Sequence, residues 1–316
     1  MRKILITGIS GFVGKHFLNY INSLEEPMEI IGVSRHATPY DNYKNLDLKI
    51  IHGDLKNMSF INDILNQHQP NYILHLASDS SVAYSWQKPI DSFLNNTNIF
   101  LNLVESVRLN HIDCRILSIG SSEQYGIVNP ENLPLSEESP LNPISPYAVA
   151  RVSQEMLSTI YAKSYGLNII MTRSFNHIGP GQADKFVVSS FVKQILNKKS
   201  NPHLKFEVGD VSIVRDFLDV RDVVNAYWKL LLHGKSVEVY NICNGAGTSL
   251  KEIITIILKL TDSNFTFETV EALIRPSDNP IIIGSNKKIC SQLNWLPKIS
   301  MEQSLGDIIS YWENDK

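Results

Sequence analysis

A short apolar run near the amino terminus ends in Thr7-Gly8-Ile9-Ser10-Gly11-Phe12-Val13-Gly14, and this stretch decides the fold. Its GxxGxxG spacing follows a predicted strand and opens into helical periodicity. The first glycine permits a tight turn, the second lets backbone approach a pyrophosphate, and the third lets helix pack on strand, while the helix N-terminus faces the phosphate charge. The motif predicts a βαβ unit that holds a dinucleotide through Gly8, Gly11, Phe12, Val13 and Gly14.

Short apolar runs alternate with longer helical segments through the first half of the chain. This alternation is typical of a parallel sheet whose right-handed crossover helices cover both faces. We expect strands at residues 3–7, 29–34, 48–52, 72–76, 115–119 and 168–173. The sequence therefore predicts an α/β protein with a Rossmann-type, doubly wound parallel sheet.

The second half is divided into shorter pieces by turn-forming dipeptides such as Pro180-Gly181 and Asn244-Gly245. Helical periodicity returns at residues 220–232 and 250–260. Because no long linker separates the halves, we expect a smaller α/β substrate-binding domain interleaved with the first. The expected dinucleotide-binding domain comprises residues 1–173 and about 218–243, and the substrate-binding domain comprises about 174–217 and 244–316.

Composition and charge exclude several classes of protein. The 316 residues are 43% hydrophobic, and 29 basic and 32 acidic side chains leave a formal net charge of −3. Such a chain is too apolar to be disordered and has no basic surface for nucleic acid. No uncharged apolar stretch approaches the roughly 18 residues of a membrane span, and the start lacks the build of a signal peptide, so we expect a cytoplasmic protein. The spacing of Cys114, Cys243 and Cys290 argues against disulfides and a metal site.

The end of the second predicted strand indicates which dinucleotide is used. An acidic residue there would bind the adenosine ribose of NAD, but this chain has Ser34-Arg35-His36. A cation accommodates the 2′-phosphate of NADP, so Ser34 and Arg35 favour NADP(H), with NAD(H) as the alternative. An arginine in such a loop is equally compatible with a solvated turn.

Further cofactor contacts are expected where the third and fourth strands end. These ends carry His52-Gly53-Asp54-Leu55 and Leu74-His75-Leu76-Ala77-Ser78. Carboxyl ends of parallel strands form the edge along which a dinucleotide lies. Asp54 is a candidate partner for the adenine amino group, and a helix N-cap is its structural alternative.

Two further motifs carry the chemistry. Ser121-Ser122-Glu123-Gln124-Tyr125-Gly126 follows the fifth strand, and Tyr147-Ala148-Val149-Ala150-Arg151 begins a helical run. Together with the glycine loop, they resemble the extended short-chain dehydrogenase/reductase family, which acts on nucleotide sugars. The resemblance covers nearly the whole chain. Within the family, residues 120–126, 145–147 and 173–182 are most similar to the reductases of GDP-4-keto-6-deoxy sugars.

The chemistry explains why these residue types are needed. Hydride transfer between a nicotinamide and C4 of a sugar requires a proton to move on or off the sugar oxygen. A phenol with an ordinary pKa of about 10 is a poor base at neutral pH unless a neighbouring cation lowers that pKa. A serine hydroxyl can hold the same oxygen in place. We expect Tyr147 as the acid/base, Ser121 as the orienting hydroxyl and Arg151 as the cation, with Tyr147 and Arg151 also contacting the cofactor.

One position departs from the family pattern, because Arg151 stands where the family has lysine. The i, i+4 spacing still places a cation on the helical face of Tyr147. Arginine is bulkier, planar and effectively never deprotonated, which puts in doubt both the compact lysine contact with the nicotinamide ribose and a proton relay. A cofactor-binding relative with weak activity therefore remains the non-enzymatic alternative.

Ser122 and Glu123 support a second hypothesis. In the related sugar-nucleotide 4,6-dehydratases a glutamate at this place removes the C5 proton with help from a neighbouring acid or hydroxyl. The segment after the second strand has a single arginine, whereas GDP-mannose 4,6-dehydratase has a longer loop with paired arginines, and Asn176-His177 resembles the reductases. We expect reduction of the C4 keto group of a GDP-4-keto-6-deoxy sugar. The alternative is a 4,6-dehydratase or C4 oxidase/epimerase acting on a GDP-hexose or heptose.

A nucleotide diphosphate needs local cations, because unpaired phosphate charge is costly to bury. The resemblance places Arg215 and Arg275 at the diphosphate with Asn176 as an amide contact. It places Lys193 at the nucleotide and Asp278 at the nucleotide ribose. Arg215 lies near acidic residues, so a surface salt bridge is its structural alternative.

The helices near residues 91–109 and 145–165 carry apolar residues on more than one face. One face covers the sheet, and the other is available to a twin subunit. The resemblance implies a homodimer through a four-helix bundle, and it adds Asn98 to the cofactor contacts. No nucleic-acid or membrane partner is expected.

Overall fold

The computed structural model describes residues 1–35, 43–201, 203–274 and 279–314. The strands are β1 (Arg2–Thr7), β2 (Met28–Ser34), β3 (Leu46–His52), β4 (Tyr72–His75), β5 (Arg115–Ser121), β6 (Asn168–Ser174), β7 (Asn176–Ile178), β8 (Glu207–Val208), β9 (Val214–Asp219), β10 (Val239–Ile242), β11 (Gly247–Ser249), β12 (Glu268–Thr269) and β13 (Ile281–Ile282). The helices are α1 (Phe12–Ser23), α2 (Met58–His68), α3 (Val82–Gln87), α4 (Pro89–Phe93), α5 (Ile99–Leu109), α6 (Pro146–Tyr165), α7 (Val187–Ser200), α8 (Val220–His233), α9 (Leu250–Leu260), α10 (Lys287–Leu293) and α11 (Met301–Asn314).

The central sheet is parallel throughout, in the order β3-β2-β1-β4-β5-β6-β10. The chain changes direction across the sheet between β1 and β4, which is the switch point where such folds bind ligands. All six predicted strands are present, although β4 ends at His75, one residue before its predicted end. The strand β10 is not among the predicted strands.

Helices cover both faces of this sheet. On one face α1 packs against α8, where Phe17 meets Trp228 edge to face. On the other face α2, α5 and α6 bury a separate cluster that includes Ile64 and Leu103. Every residue of β2 is buried, as expected for a strand with helices above and below. The predicted doubly wound fold is confirmed.

The glycine loop depends on two very close backbone contacts. A Cβ on Gly8, whose φ is +71°, would lie 2.7 Å from the Ala77 nitrogen at the end of β4. A Cβ on Gly14 would lie 2.3 Å from the Ile9 oxygen, so only glycine lets α1 pack this closely. Gly11 begins α1 without a side-chain cap, which leaves the first amides of the helix available at the sheet edge.

The remaining strands form smaller sheets beside the central one. The strands β11, β9 and β13 pair in that order, and β7 also pairs with β9. The helices α7, α9 and α11 share a core of their own that includes Phe191, Ile253 and Ile308. The chain enters this region after β6 and again after β10, as the interleaved arrangement requires. The exact domain boundaries stay a prediction.

Membrane spans and metal clusters are absent from the part of the chain that the structure describes. No helix there combines the length and apolar character needed to cross a membrane. No group of three or more His, Cys, Asp or Glu side chains there could hold a metal ion. The three cysteines are free, and burial raises the pKa of Cys114 to about 12, so its thiol is protonated.

Replacing Gly14 by alanine tests the contact between α1 and the backbone of Ile9 in the glycine loop. We expect Gly14→Ala to lower the free energy of unfolding by about 1–3 kcal/mol, because the added methyl must displace backbone. Gly306→Ala is the control, since a Cβ on this glycine of α11 meets nothing within 4 Å. Alanine there should raise stability by about 0.5–1 kcal/mol. Urea denaturation measures both, and equal stability of the two variants would contradict the packing argument.

Candidate active site

The motifs singled out in the sequence meet at one edge of the sheet. Because β1, β4 and β5 are adjacent and parallel, their carboxyl ends carry the glycine loop, Ala77 and Ser121 side by side. Phe12 and Val13 begin α1 and are half-buried at this edge. The arrangement is the expected one for a dinucleotide and substrate that share a crevice.

Ser121 is the last residue of β5 and the cap of the 3₁₀ turn Ser122–Tyr125. Its Oγ accepts a hydrogen bond from the Glu123 amide at 3.2 Å, and its own amide donates to Gln124 Oε1 at 2.8 Å. Ser121 and Ser122 are buried, and Glu123 is half-buried. This reciprocal capping fixes the backbone on which the proposed orienting hydroxyl stands.

A buried polar network supports this turn from behind. Glu155 Oε2 accepts from Gln124 Nε2 at 2.6 Å and from Arg173 Nε at 2.9 Å, and Arg173 Nη2 donates to Oε1 at 2.7 Å. A Cβ on Gly120 would lie 2.3 Å from Gln124 Oε1, so the glycine makes room for the amide. Sequence reasoning missed this network, because partners that lie 18 and 31 residues apart leave no local signal.

Tyr147 and Arg151 stand in the first turns of α6. Ser145 Oγ caps this helix by accepting from the Ala148 amide at 3.1 Å, and Pro146 occupies its first position. Tyr147 and Arg151 are both buried, and the Arg151 guanidinium carbon lies 5.2 Å from the centroid of the Tyr147 ring. The structure thus brings the proposed acid/base and its cation together.

His75 and Tyr227 border this pair but are poor acid/base candidates. Burial, together with the Arg151 charge, lowers the pKa of His75 to about 3, so the imidazole is neutral. Its Nδ1 hydrogen-bonds Thr7 Oγ1 at 2.9 Å. Burial raises the pKa of Tyr227 above that of an ordinary phenol, and its hydroxyl hydrogen-bonds Ser174 Oγ at 2.7 Å. Tyr147 remains the better-placed phenol.

Two of the residues predicted to contact the adenosine part of the cofactor, Arg35 and Asp54, are exposed. Ser34 Oγ donates to Ser10 Oγ at 2.9 Å, and Arg35 is exposed immediately after β2. Asp54 accepts from the Lys56 amide at 2.9 Å, and the helix cap suggested for it is wrong, because Asn57 caps α2.

The other predicted cofactor residues are less exposed than Arg35 and Asp54. Leu55 is buried, while the remaining four are half-buried: Leu76, Ala77, Ser78 and Asn98. Asn98 ends the π-helical turn Leu94–Asn98 between α4 and α5, a local widening of the helix that is frequent at functional sites. The cofactor roles of these residues stay predictions.

Two observations fit a bound dinucleotide. The glycine loop is a cradle in which a side chain at Gly8 would collide with Ala77. Arg151 Nε is buried without a hydrogen-bond partner among the described residues, so this donor of the site is not satisfied by them. Both features suit an extended polar ligand that runs along the sheet edge.

The predicted substrate residues lie in the second region. Arg215 is on β9, and its Nη1 donates to the carbonyls of Val214 at 2.9 Å and Asn279 at 2.8 Å. Asn176 is exposed at the start of β7, the strand beside β9.

Lys193 on α7 pairs with Asp184 at 2.5 Å and lies 5.1 Å from the centroid of the Trp312 ring. Its role at the nucleotide is not tested by these contacts. The predicted contacts Arg275 and Asp278 lie outside the described residues.

Comparison with known proteins identifies the family. Residues 5–308 match the profile of the family described as GDP-mannose 4,6 dehydratase. The GDP-6-deoxy-D-mannose reductase of Pseudomonas aeruginosa is 31% identical over 99% of this chain and 98% of its own length. The chain belongs to the GDP-mannose 4,6-dehydratase family.

Other relatives show how far this family likeness extends. The solved structure of RMD from Pseudomonas aeruginosa complexed with NADPH matches 100% of both chains, with a TM-score of 0.87 and 31% identity. The GDP-mannose 4,6-dehydratase of Yersinia enterocolitica is 24% identical over 98% of this chain and 93% of its own length. The predicted family, the Rossmann-type fold and the class of nucleotide-sugar oxidoreductase are confirmed.

Buried neutral His75 has a measurable consequence for stability. Its pKa is about 3 in the folded protein and 6.5 when unfolded, so unfolding takes up a proton between these values. The free energy of unfolding should therefore fall with decreasing pH, with His75 contributing about 1.4 kcal/mol per pH unit. Denaturant titrations at several pH values should show that the free energy of unfolding of His75→Asn falls less steeply with decreasing pH than that of wild type, by this amount. The exposed His111→Asn is the control, and equal slopes for wild type and His75→Asn would exclude a buried neutral histidine.

Proposed function

We propose that this protein reduces the C4 keto group of a GDP-4-keto-6-deoxy sugar of the GDP-4-keto-6-deoxy-D-mannose type. The observation that carries the proposal is the buried Tyr147–Arg151 pair at the sheet edge that also holds Ser121 and the glycine loop. Full-length similarity to a GDP-6-deoxy-D-mannose reductase supports the substrate class. We expect the enzyme to work in the cytoplasm, as predicted from the sequence.

NADP(H) is the proposed cofactor, with NAD(H) as second choice. Arg35 is exposed after β2, where a cation suits a 2′-phosphate, and the similar RMD structure is complexed with NADPH. Gly8, Gly11 and the first turn of α1 would hold the pyrophosphate. The bound dinucleotide supplies the hydride that is added at C4.

In this proposal the protein's own side chains transfer the proton to the sugar oxygen. Ser121 Oγ hydrogen-bonds the sugar carbonyl and orients it, and Tyr147 donates a proton to the oxygen as negative charge develops. Arg151 favours the phenolate that this transfer leaves behind. Burial excludes water from the pair and strengthens this electrostatic effect.

The substrate's nucleotide would lie along the second region. Arg215 and Asn176, on adjacent strands, are the proposed diphosphate contacts within the described residues. Arg275 remains the second proposed arginine, with Lys193 at the nucleotide and Asp278 at its ribose. Assigning separate cations to separate anionic groups explains how a chain of net charge −3 accommodates two anionic ligands.

A 4,6-dehydratase is the second candidate. Half-buried Glu123 directly follows the Ser121-Ser122 pair, and in the related 4,6-dehydratases a glutamate at this place is the base that removes the C5 proton. The relative from Yersinia enterocolitica is named as such an enzyme. A C4 oxidase/epimerase and a weakly active cofactor-binding relative are the remaining alternatives.

The substrates consumed distinguish these functions. A C4 reductase oxidises added NADPH when given a GDP-4-keto-6-deoxy sugar. A dehydratase converts GDP-mannose without net NADPH consumption, and an epimerase isomerises a GDP-sugar in the same way. Binding of NADPH with no turnover of any of these sugars would support the non-enzymatic alternative.

Removing one hydroxyl tests the proton donor. We expect Tyr147→Phe to lower the turnover of the keto sugar by about 100-fold or more, because the variant has no proton to donate to the reacting oxygen. NADPH affinity should be largely retained, since the aromatic ring at this position is kept. Tyr161→Phe is the matched control, since this tyrosine of the same helix donates instead to Glu105 at 2.8 Å. NADPH absorbance measures turnover, and a fully active Tyr147→Phe would overturn the mechanism.

We also propose that the protein is a homodimer through a four-helix bundle. Val149, Met156 and Ile160 are exposed along one face of α6. Ile90 and Leu94 are exposed in the neighbouring α4 and π-helical segment. An apolar surface that runs across two adjacent helices suits a second copy of the same helices.

Charges placed on this surface should separate the subunits. We expect Met156→Asp combined with Ile160→Asp to reduce the mass in solution from about twice 35.7 kDa to 35.7 kDa. Leu296→Asp, at an exposed leucine outside these helices, should leave the mass unchanged. Light scattering at micromolar concentration measures the mass of the wild type and of both variants. A wild-type mass near 36 kDa would contradict the dimer.

A further inference from the structure

Arg151 is a buried cation to which the described residues supply no carboxylate. It is 3% exposed, and no ion pair of the described part of the chain includes it. Its Nη1 donates to the Ile119 carbonyl at 3.0 Å and to Gln154 Oε1 at 2.7 Å. A buried charge without a counter-ion depends on the neutral dipoles around it, so the Gln154 amide is one of its main supports.

The Gln154 amide has a defined orientation. Gln154 is 1% exposed, and its Nε2 donates to Ser118 Oγ at 2.9 Å and to the Ile119 carbonyl at 3.1 Å. Rotating the amide by half a turn would set its oxygen against the Ile119 carbonyl and its NH₂ group against the Arg151 guanidinium. Both contacts would be repulsive, so Oε1 faces Arg151.

This arrangement determines where the guanidinium points. The group is planar, and two acceptors on a single nitrogen restrict the rotation of that plane. With Nη1 held, the guanidinium carbon stays 5.2 Å from the Tyr147 ring centroid. The buried Nε of Arg151 has no partner among the described residues, so the hydrogen bonds of Nη1 are the ones shown to orient the group.

We propose that Gln154 is a positioning residue that holds the Arg151 guanidinium beside Tyr147 and toward the bound dinucleotide. The proposal rests on the function proposed above and deepens it. Gln154 acts through Arg151. This positioning explains how an arginine can do the work of the lysine that the family pattern has at this place. An ammonium with three rotatable donors has no plane to orient, whereas the direction of the planar guanidinium depends on where its two acceptors lie.

Gln154→Met tests the proposal, because methionine fills a similar volume without the acceptor. In the wild-type background we expect kcat and NADPH affinity each to fall about tenfold, while KM for the keto sugar changes less than about twofold. Arg151→Lys provides a second background, in which an ammonium replaces the planar guanidinium. In that background, adding Gln154→Met should change kcat and NADPH affinity by less than about twofold, since a positioning role disappears with the group it positions.

If Gln154 had only a structural role, the result would be different. Tyr161→Phe, which removes a hydrogen bond from a buried side chain of the same helix, should lower the thermal midpoint without changing kcat or NADPH affinity. Equal losses from Gln154→Met in the arginine and lysine backgrounds, or no loss in either, would overturn the proposal. NADPH affinity is read from nicotinamide fluorescence without sugar. It therefore still tests Gln154 if the keto sugar is not turned over, an outcome that would count against the proposed function alone.

Discussion

The close backbone contacts of the glycine loop are the constraint on which the rest of the site depends. Gly8 lies against the end of β4 and Gly14 against Ile9, so α1 begins directly at the sheet edge. The uncapped amides of that helix then face the crevice where the strand order reverses. The parallel register of β1, β4 and β5 brings the other motifs to the same edge. A side chain at either glycine would shift α1 and alter all of these positions together.

The second constraint is electrostatic. Arg151 is buried without a carboxylate partner in the described part of the chain, and its charge acts on the groups that face it. It helps to keep His75 neutral and lies beside the Tyr147 ring. Among the described residues, Arg151 is therefore the buried cation of the site that no carboxylate neutralises, with Ser118 and Gln154 as neutral supports, whereas Arg173 is paired with Glu155. Neutral dipoles leave that charge available to a phenolate and a ligand, whereas a carboxylate would neutralise it.

The fold and the primary motifs were predictable because their signals are local. Strand runs such as 29–34 and the glycine spacing show in neighbouring residues, and Tyr147 and Arg151 are related by helical periodicity alone. Contacts between distant residues were not predictable. Gln124 contacts Glu155 only because β5 and α6 pack together. In the sequence Gln154 is an ordinary helical residue, and only the structure shows its hydrogen bond to Ser118. The helix cap, which was the structural alternative for Asp54, is wrong because Asn57 accepts from the first amides of α2.

Helix α6 joins these two constraints to the proposed dimer. Tyr147, Arg151 and Gln154 follow helical spacing on its buried side, and Glu155 holds the turn after Ser121 through Gln124. Its opposite side carries exposed apolar residues such as Met156. A twin subunit packed there would restrain the same rigid helix that places the phenol and the cation. The distance between Tyr147 and Ser121 depends on how α6 sits on β5, because one residue comes from each element. In the proposed dimer, the subunit contacts and the proposed proton donor would therefore be linked through one helix, without a residue in common.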